Sequence, residues 1–208
     1  MTVTPYYEQD GVTLYHGDCK EILPQLGRFD LLLTDPPYGI DAANMTMGKR
    51  QSTLPQTQRI PRATWDSERP DITHMLKSAD LLCVWGGNYF TDVLPPTNNW
   101  LVWHKKNDGR SFSECELAWT NFGQQVRHFA WGWLHGGETK QHRTQKPISL
   151  MRWCLSFGPD AKTILDPFAG SGTTLLAARL EGRQAVGIEI SERYCEIAAN
   201  RLRQKLLF

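Results

Sequence analysis

Residues 163–174 read Thr163-Ile164-Leu165-Asp166-Pro167-Phe168-Ala169-Gly170-Ser171-Gly172-Thr173-Thr174, and residues 31–38 read Leu31-Leu32-Leu33-Thr34-Asp35-Pro36-Pro37-Tyr38. Each stretch begins with a short apolar run, which is typical of a strand buried on both faces of a parallel sheet. Each run ends in a tight turn that carries polar groups. The second motif offers a carboxylate, rigid backbone and an aromatic ring, and the first offers glycines that open a helix. Together they indicate an amine-binding pocket beside a pocket for a nucleoside cofactor.

Strand and helix patterns alternate along the rest of the chain. Predicted strands lie at 12–16, 30–34, 80–85, 99–104, 114–120, 125–131, 162–165 and 184–190, the last ones before residue 147 being antiparallel. Predicted helices lie at 71–77, 148–157, 172–181 and 191–206, with Pro147 in the first turn of one and Ser191 as the cap of another. This alternation favours a doubly wound α/β sheet. Because no repeat or linker divides the 208 residues, we expect one domain over residues 1–208.

The composition excludes several classes of protein. Five widely spaced cysteines without a C-x-x-C pair indicate free thiols, and no histidine spacing indicates a metal site. The first residues lack the basic and apolar regions of a signal peptide. No apolar run approaches the ~20 residues of a membrane span. A cytoplasmic protein without a membrane partner is therefore expected.

The net charge of +1 does not by itself indicate a partner, but the basic residues are clustered. Residues 41–64 have few large apolar side chains and no clear period, so we expect a mobile loop with a function of its own. This loop carries four basic residues that are expected to contact nucleic-acid phosphates, namely Lys49, Arg50, Arg59 and Arg62. Two further basic groups are candidates for the same phosphate-binding face: Lys105, Lys106 and Arg110, and Lys140, His142, Arg143 and Lys146. The alternative for each group is an ordinary solvated loop.

The Asp-Pro-Pro-Tyr motif suits an aromatic amine, whose lone pair is delocalised into its ring. A catalyst must draw such a nitrogen toward tetrahedral geometry, and one acceptor for each N–H suffices. Asp35 supplies a carboxylate and Pro36 a backbone carbonyl, and Pro36 and Pro37 fix the backbone before the substrate arrives. Tyr38 supplies a ring on which a flipped base can stack. The alternative is a proline turn with a packed tyrosine.

The glycine turn suits a nucleoside cofactor without phosphates. The dinucleotide pattern G-x-G-x-x-G would need a third glycine, and Leu175 stands there. Asp166 ends the strand and is expected to bind an ammonium group or a water molecule, while Glu189 ends the next strand and is expected to accept the ribose hydroxyls. These residues suit S-adenosylmethionine. The predicted contacts include Phe168, Ala169, Gly170, Ser171, Gly172, Thr173 and Thr174.

The order of the two motifs resembles the beta class of amino-group DNA methyltransferases, in which the motifs are circularly permuted. Further segments similar to this family are Tyr15-His16-Gly17-Asp18-Cys19, Trp85-Gly86-Gly87-Asn88-Tyr89-Phe90, Glu114-Cys115-Glu116-Leu117-Ala118-Trp119 and Arg143-Thr144-Gln145-Lys146-Pro147. The resemblance covers nearly the whole chain. It implies a mostly parallel, seven-stranded Rossmann-like methyltransferase sheet with an antiparallel strand.

The resemblance also implies roles for individual residues. Asp18 would meet the amine of the cofactor adenine, Cys19 would meet its ring, and Lys146 would border the methionine moiety. Between the late strands and Lys146 the family usually carries a target-recognition region. Here residues 121–142 must also hold a strand, so no recognition domain is evident, and a second subunit of a homodimer is one way to supply it.

The resemblance implies transfer of a methyl group from S-adenosylmethionine to adenine N6 in DNA. Asp35 favours adenine, because cytosine-N4 enzymes of the family more often carry serine at its position. Cytosine N4 is the alternative substrate, followed by adenine in RNA. A Rossmann oxidoreductase is a second class of function, but the chain lacks the third glycine of the dinucleotide pattern. A non-catalytic nucleic-acid-binding module is a third class, but it would not need Asp35, Tyr38 and Glu189. A role in restriction–modification is one of several that the sequence leaves open.

Overall fold

The computed structural model describes residues 3–40, 66–109, 113–123, 125–132 and 145–204. Within these ranges nine strands form one sheet, in the order β1-β2-β9-β8-β3-β4-β6-β5-β7. The strands are β1 (Tyr7–Gln9), β2 (Val12–His16), β3 (Phe29–Thr34), β4 (Ala79–Trp85), β5 (Trp100–His104), β6 (Cys115–Thr120), β7 (Arg127–Ala130), β8 (Thr163–Asp166) and β9 (Gln184–Glu189).

Four α-helices cover the sheet in the described part of the chain: α1 (Cys19–Ile22), α2 (Ile148–Leu155), α3 (Thr173–Leu180) and α4 (Glu192–Arg203). Short 3₁₀-helices lie at Leu23–Gln25, Thr73–Lys77 and Gly87–Tyr89. Among the described residues, no helix has the length and apolar character needed to cross a bilayer.

Burial on both faces explains the run of three leucines in the central strand β3. Leu31, Leu32 and Leu33 are each completely buried, because helices and turns cover both faces of the sheet. Leu31 and Leu33 pack on the side of α2, α3 and α4, whereas Leu32 packs on the side of α1 and the 3₁₀ turns. The core is therefore split into two layers by the sheet, as the period of two along a strand requires.

The predicted doubly wound, mostly parallel α/β class is confirmed. The resemblance implied seven strands and the local patterns eight, whereas the described residues form nine. One unpredicted strand, β1, forms an antiparallel hairpin with β2 through Asp10 and Gly11, which both have positive φ. An Asp-Gly pair is a strong hairpin signal, and it was available in the sequence.

Other boundaries also differ from the prediction. The segment predicted as a helix at 71–77 forms a short 3₁₀ turn at Thr73–Lys77. Strand β6 is antiparallel to both its neighbours, but β7 pairs with β5 in parallel, so the predicted antiparallel direction of the last strand was wrong. Ser191 precedes α4 as predicted, although its side chain makes no capping hydrogen bond. Pro147 stands one residue before α2 with extended backbone.

The parallel strands bring the predicted motifs to one edge of the sheet. Strands β2, β9, β8, β3 and β4 all run in the same direction, so their carboxyl ends lie side by side. The segments that leave those ends begin at Gly17, Ile190, Pro167, Asp35 and Gly86. Ligands of open α/β sheets bind at this edge.

Candidate functional site

The Asp-Pro-Pro-Tyr motif leaves the end of β3 as a turn closed on itself. The Tyr38 hydroxyl donates a 2.5 Å hydrogen bond to Oδ1 of Asp35, and the Tyr38 ring stacks on Tyr89 with centroids 4.9 Å apart. Pro36 is buried, while Tyr38 is half-buried and Tyr89 is 39% exposed. The motif therefore places a carboxylate at the sheet edge with two aromatic rings beside it.

Two residues outside the motif fix its shape. The buried Asp66 accepts hydrogen bonds at Oδ1 from the backbone N–H groups of Tyr38 (2.7 Å) and Gly39 (3.0 Å). Gly86, at the end of β4, has φ +67, and a Cβ there would lie 2.0 Å from the Tyr38 ring. Glycine at position 86 is thus required for the tyrosine to lie where it does.

Tyr89 is held in turn by an arginine. The Arg69 guanidinium donates to the Tyr89 carbonyl at 2.7 Å and forms a bidentate pair with Asp92, at 2.5 and 2.6 Å. Bidentate pairs of this kind fix orientation as well as charge. The aromatic pair at the open side of Asp35 is therefore supported from both sides.

A buried ion cluster lies on the other side of Asp35. The Lys146 Nζ is 2.5 Å from Oδ2 of Asp35, 3.0 Å from Oε2 of Glu116 and 3.3 Å from the Tyr38 hydroxyl. Glu116 also pairs through Oε1 with Lys105 at 2.6 Å. The Lys146 side chain is only 3% exposed. We call Asp35, Lys146, Glu116 and Lys105 the buried ion cluster.

The electrostatics of this cluster follow from burial and pairing. Burial raises the pKa of Asp35, against the opposing effect of Lys146. Burial alone would lower the pKa of Lys146, but Asp35 and Glu116 outweigh it and raise the pKa above its ordinary value. Burial would raise the pKa of Glu116, yet Lys146 and Lys105 together bring it to about 2. Lys146 is therefore a fixed cation in contact with Asp35.

The glycine turn after β8 is tied to the end of β9. The Gly170 N–H donates to Oε2 of Glu189 at 2.8 Å, and the Ser191 N–H donates to Oε1 at 2.8 Å. Gly170 has φ +51, and a Cβ there would have its nearest neighbour, the Phe168 carbonyl oxygen, 4.0 Å away, so space is open above it. Burial raises the pKa of Glu189, and the two amides oppose that effect.

Close packing explains the second glycine and the leucine that replaces a third. A Cβ on Gly172 (φ +77) would lie 2.9 Å from Ala198 of α4. Leu175 of α3 packs against Gly187 on β9, where a Cβ would lie 2.7 Å from the leucine. In dinucleotide sites a third glycine on the helix allows the helix to pack closely on the strand. Here Gly187 on the strand allows the same close packing.

Asp166 lies at the base of the glycine turn. Its Oδ1 accepts hydrogen bonds from the Thr34 hydroxyl (2.8 Å) and the Phe168 N–H (3.1 Å), and Thr174 also bonds the carboxylate. The residue is 2% exposed. Burial raises its pKa to about 6, and these hydrogen bonds only partly oppose the shift.

The segment after β2 lies beside Glu189. The Gly17 N–H donates to the Glu189 carbonyl at 3.0 Å. The Asp18 side chain caps α1 by accepting from the Lys20 N–H at 2.8 Å, and the buried Cys19 has its sulfur 3.6 Å from Nε2 of His74. Asp18 and Cys19 thus reach the same edge as the glycine turn.

The structure brings together nearly all of the predicted site residues that it describes. Lys146, predicted from the resemblance to border the cofactor, makes polar contacts with Asp35, Glu116 and Tyr38. Lys105, grouped with phosphate-binding bases in the sequence, points its ammonium at Glu116 instead. The predicted DNA-binding residues Lys49, Arg50, Arg59 and Arg62 lie outside the described residues.

Sequence reasoning assigned no role to three contributors to the site, Asp66, Tyr89 and Glu116, although the last two lie in segments similar to the family. The signal for Glu116 was present, because an acid in the middle of a predicted strand must find a partner when it is buried. Asp66 and Tyr89 carried no such signal, since both act through folding of distant segments against the Tyr38 turn.

Comparisons with known proteins identify the family. A DNA methylase family model, for N6 and N4 methyltransferases, matches residues 84–200. Type II methyltransferase M2.DpnII of Streptococcus pneumoniae is 32% identical over 97% of this chain and 93% of that protein. Type II methyltransferase M.ScaI of Streptomyces caespitosus is 29% identical over 95% of this chain and 83% of that protein.

Two solved structures share the fold. One is the M1.HpyAVI complex with S-adenosylmethionine, with a TM-score of 0.63, 23% identity and coverage of 93% of this chain and all of that chain. The other is the PvuII cytosine-N4-specific DNA methyltransferase, with a TM-score of 0.64, 16% identity and coverage of 99% of this chain and 91% of that chain.

The chain belongs to the DNA methylase family of N6 and N4 amino-methyltransferases. It is an S-adenosylmethionine-dependent DNA amino-methyltransferase, whose partners are the cofactor and DNA.

The described residues fit that cofactor chemically. The carboxylates of Asp18, Asp166 and Glu189 lie at or beside the glycine turn. The cofactor carries a sulfonium and an ammonium cation, which carboxylates attract, and two ribose hydroxyls, which can donate hydrogen bonds to them. Arg201 is bonded to the Ser171 carbonyl and hydroxyl and to the Thr173 hydroxyl. Because carboxylates lie around the glycine turn, the site differs from one built for a pyrophosphate.

Proposed function

We propose that the protein methylates the N6 amino group of adenine in DNA. The observation that carries this proposal is Asp35 at the carboxyl end of β3, with the Tyr38 and Tyr89 rings at its side and the glycine turn on the neighbouring strand. An acceptor for an amine and a flat aromatic surface for its ring are thus adjacent to a cofactor turn. The acid at position 35, where serine is commoner in cytosine-N4 relatives, supports adenine.

In the proposed reaction a flipped base stacks on Tyr38, a contact worth roughly 1–3 kcal/mol. Asp35 accepts one N–H of the amine, and the Pro36 carbonyl accepts the other. This pulls the nitrogen toward tetrahedral geometry and frees its lone pair. When bound, the cofactor would supply a methyl group on its sulfonium sulfur. Transfer of that methyl to the amine nitrogen would break the S–C bond and leave a neutral thioether. The attacking nitrogen becomes cationic and then loses a proton, for which the carboxylate of Asp35 is the adjacent base.

Cytosine N4 is the second candidate substrate, because both amines are exocyclic groups on aromatic rings and the PvuII enzyme of this fold is named for cytosine N4. Mass spectrometry of nucleosides from DNA of cells that express the chain separates the two. N6-methyldeoxyadenosine is expected in cells that express the wild type, and much less of it is expected in cells that express Asp35→Ala. N4-methyldeoxycytidine alone would replace adenine with cytosine as the substrate.

Cofactor affinity is expected to fall in acid. Asp166 must be ionised to pair with a cofactor ammonium, but burial raises its pKa to about 6 in the free protein. Binding the cation then requires loss of a proton below that pKa, so the dissociation constant should rise by about tenfold between pH 7 and pH 5. Titration calorimetry across this range measures the effect.

The matched variant for this test is Asp166→Asn, which has no proton to lose. It should bind the cofactor more weakly than the wild type at pH 7, with a much flatter pH profile. Glu189→Gln controls for the second buried acid at the turn. A wild-type affinity that is constant from pH 7 to pH 5 would remove Asp166 from the ammonium site.

A further inference from the structure

The two oxygens of Asp35 are held in different ways. Oδ2 contacts the Lys146 ammonium at 2.5 Å, and that ammonium is itself anchored to Glu116 on β6. Oδ1 accepts a hydrogen bond from the Tyr38 hydroxyl at 2.5 Å. The lysine on Oδ2 is buried just before α2, whereas the hydroxyl on Oδ1 belongs to a half-buried ring that stacks on the exposed Tyr89.

From this asymmetry we propose that Lys146 is a positioning residue for the catalytic carboxylate. Its ammonium, anchored by Glu116, fixes Oδ2 of Asp35 so that Oδ1 is the oxygen that accepts the N–H of the target amine. The Tyr38 hydroxyl holds that place until the base arrives, and it leaves Oδ1 when the ring takes up its stacking position. This inference rests on the proposed function of Asp35.

The anchoring of Lys146 is what makes the arrangement directional. A lysine side chain is a flexible stem with a compact charge, and alone it would not fix an oxygen. Here the ammonium is confined by two carboxylates and lies 5.7 Å from the centres of the Tyr38 and Trp85 rings. Lys105 holds the second oxygen of Glu116, so the anchor itself cannot rotate freely.

The charges around Asp35 set its pKa, so a change in that pKa tests the proposal. The groups that face it are Lys146 before α2, Glu116 on β6, Tyr38 on its own turn and Asp166 at the end of β8, with Lys105 behind Glu116. Lys146 lowers the pKa of Asp35 and Glu116 raises it. Neutralising Lys146 should therefore move the ionisation of Asp35 to higher pH, and neutralising Glu116 should move it to lower pH.

The test uses the full chain with Lys146→Met and Glu116→Gln. Single-turnover methyl transfer should slow by roughly 10- to 100-fold in Lys146→Met, because a misplaced acceptor costs about this much. The acid limb of its pH–rate profile should shift upward, and that of Glu116→Gln should shift downward. Lys146→Arg should recover part of the rate. Lys77→Met, which makes the same change at a lysine far from the cluster in sequence and on the exposed surface, should match the wild type.

Two further measurements separate positioning from other roles. The affinity for S-adenosylmethionine should change less than about twofold in Lys146→Met, whereas a large loss with an unshifted pH profile would return Lys146 to the cofactor site. Carbon-13 NMR titration of the Asp35 carboxyl, assigned with Asp35→Asn, should show the same opposite shifts without any turnover. Shifts in the same direction, or none, in a folded protein would overturn the proposal.

The failure of the proposed function is seen separately. If the wild-type protein binds S-adenosylmethionine but transfers no methyl group to adenine or cytosine in DNA, the proposed reaction is wrong. The NMR titration still decides whether Lys146 and Glu116 set the state of Asp35.

Discussion

Asp35→Ala is expected to lower the rate of methyl transfer by on the order of a hundredfold or more while S-adenosylmethionine still binds. The carboxylate is proposed to accept a hydrogen bond from the target amine, and it is already fixed by Lys146 before any substrate arrives. Its loss removes a preorganised partner of the developing charge. The cofactor turn begins on a different strand, β8, and keeps its own hydrogen bonds.

Single-turnover transfer to DNA and cofactor titration by calorimetry measure the two halves of this expectation. Because Asp35→Ala leaves the buried Lys146 with one carboxylate fewer, Asp35→Asn is the companion variant that keeps the side-chain volume. Asp160→Ala, at an exposed acid between α2 and β8, is the control. Near-normal turnover in both Asp35 variants would defeat the catalytic role.

Glu189→Ala is expected to weaken cofactor binding by about 10- to 100-fold, since each lost charge-assisted hydrogen bond is worth roughly 1.5–3 kcal/mol. The reason is twofold. Glu189 is proposed to accept the ribose hydroxyls with its remaining lone pairs, and it already holds the Gly170 and Ser191 amides at 2.8 Å. Its loss therefore removes a ligand contact and loosens the turn on which the cofactor is proposed to lie.

Calorimetry with S-adenosylmethionine is again the measurement, and Glu192→Ala, at an exposed acid on the first turn of α4, is the matched control. Glu189→Gln separates the two contributions, since its amide oxygen still accepts one backbone N–H. An unchanged affinity in Glu189→Ala would remove Glu189 from the cofactor site.

Much of the fold followed from local patterns. The uninterrupted apolar run before Asp35 identified a strand covered on both faces, and the glycines after Asp166 identified a strand–helix turn. Parallel strands place such motifs at one edge whatever their separation in sequence. Because of this rule, the turn that begins at Asp35 and the end of the strand at Glu189 were expected at the same edge of the sheet.

The ion cluster could not be predicted in the same way. Lys146 and Asp35 are 111 residues apart, and the cluster they share with Glu116 depends on β6 being inserted antiparallel between β4 and β5. Strand order of this kind is set by packing of whole elements, which no short window of sequence encodes. From the sequence, Lys105 was therefore grouped with the phosphate-binding basic residues, although in the structure its ammonium pairs with Glu116.

The permuted order of the strands also has a consequence for how the chain is made. Strand β3 emerges early in synthesis, but one of its two neighbours, β8, begins only at Thr163. At cellular elongation rates the intervening stretch is a wait of roughly 6 to 26 seconds. During that time β4 can cover one edge of β3, while the other edge, with three consecutive leucines, has no partner strand. Such an edge favours association with other chains, so this protein should depend on chaperones during translation more than a relative in which the glycine-turn half is made first.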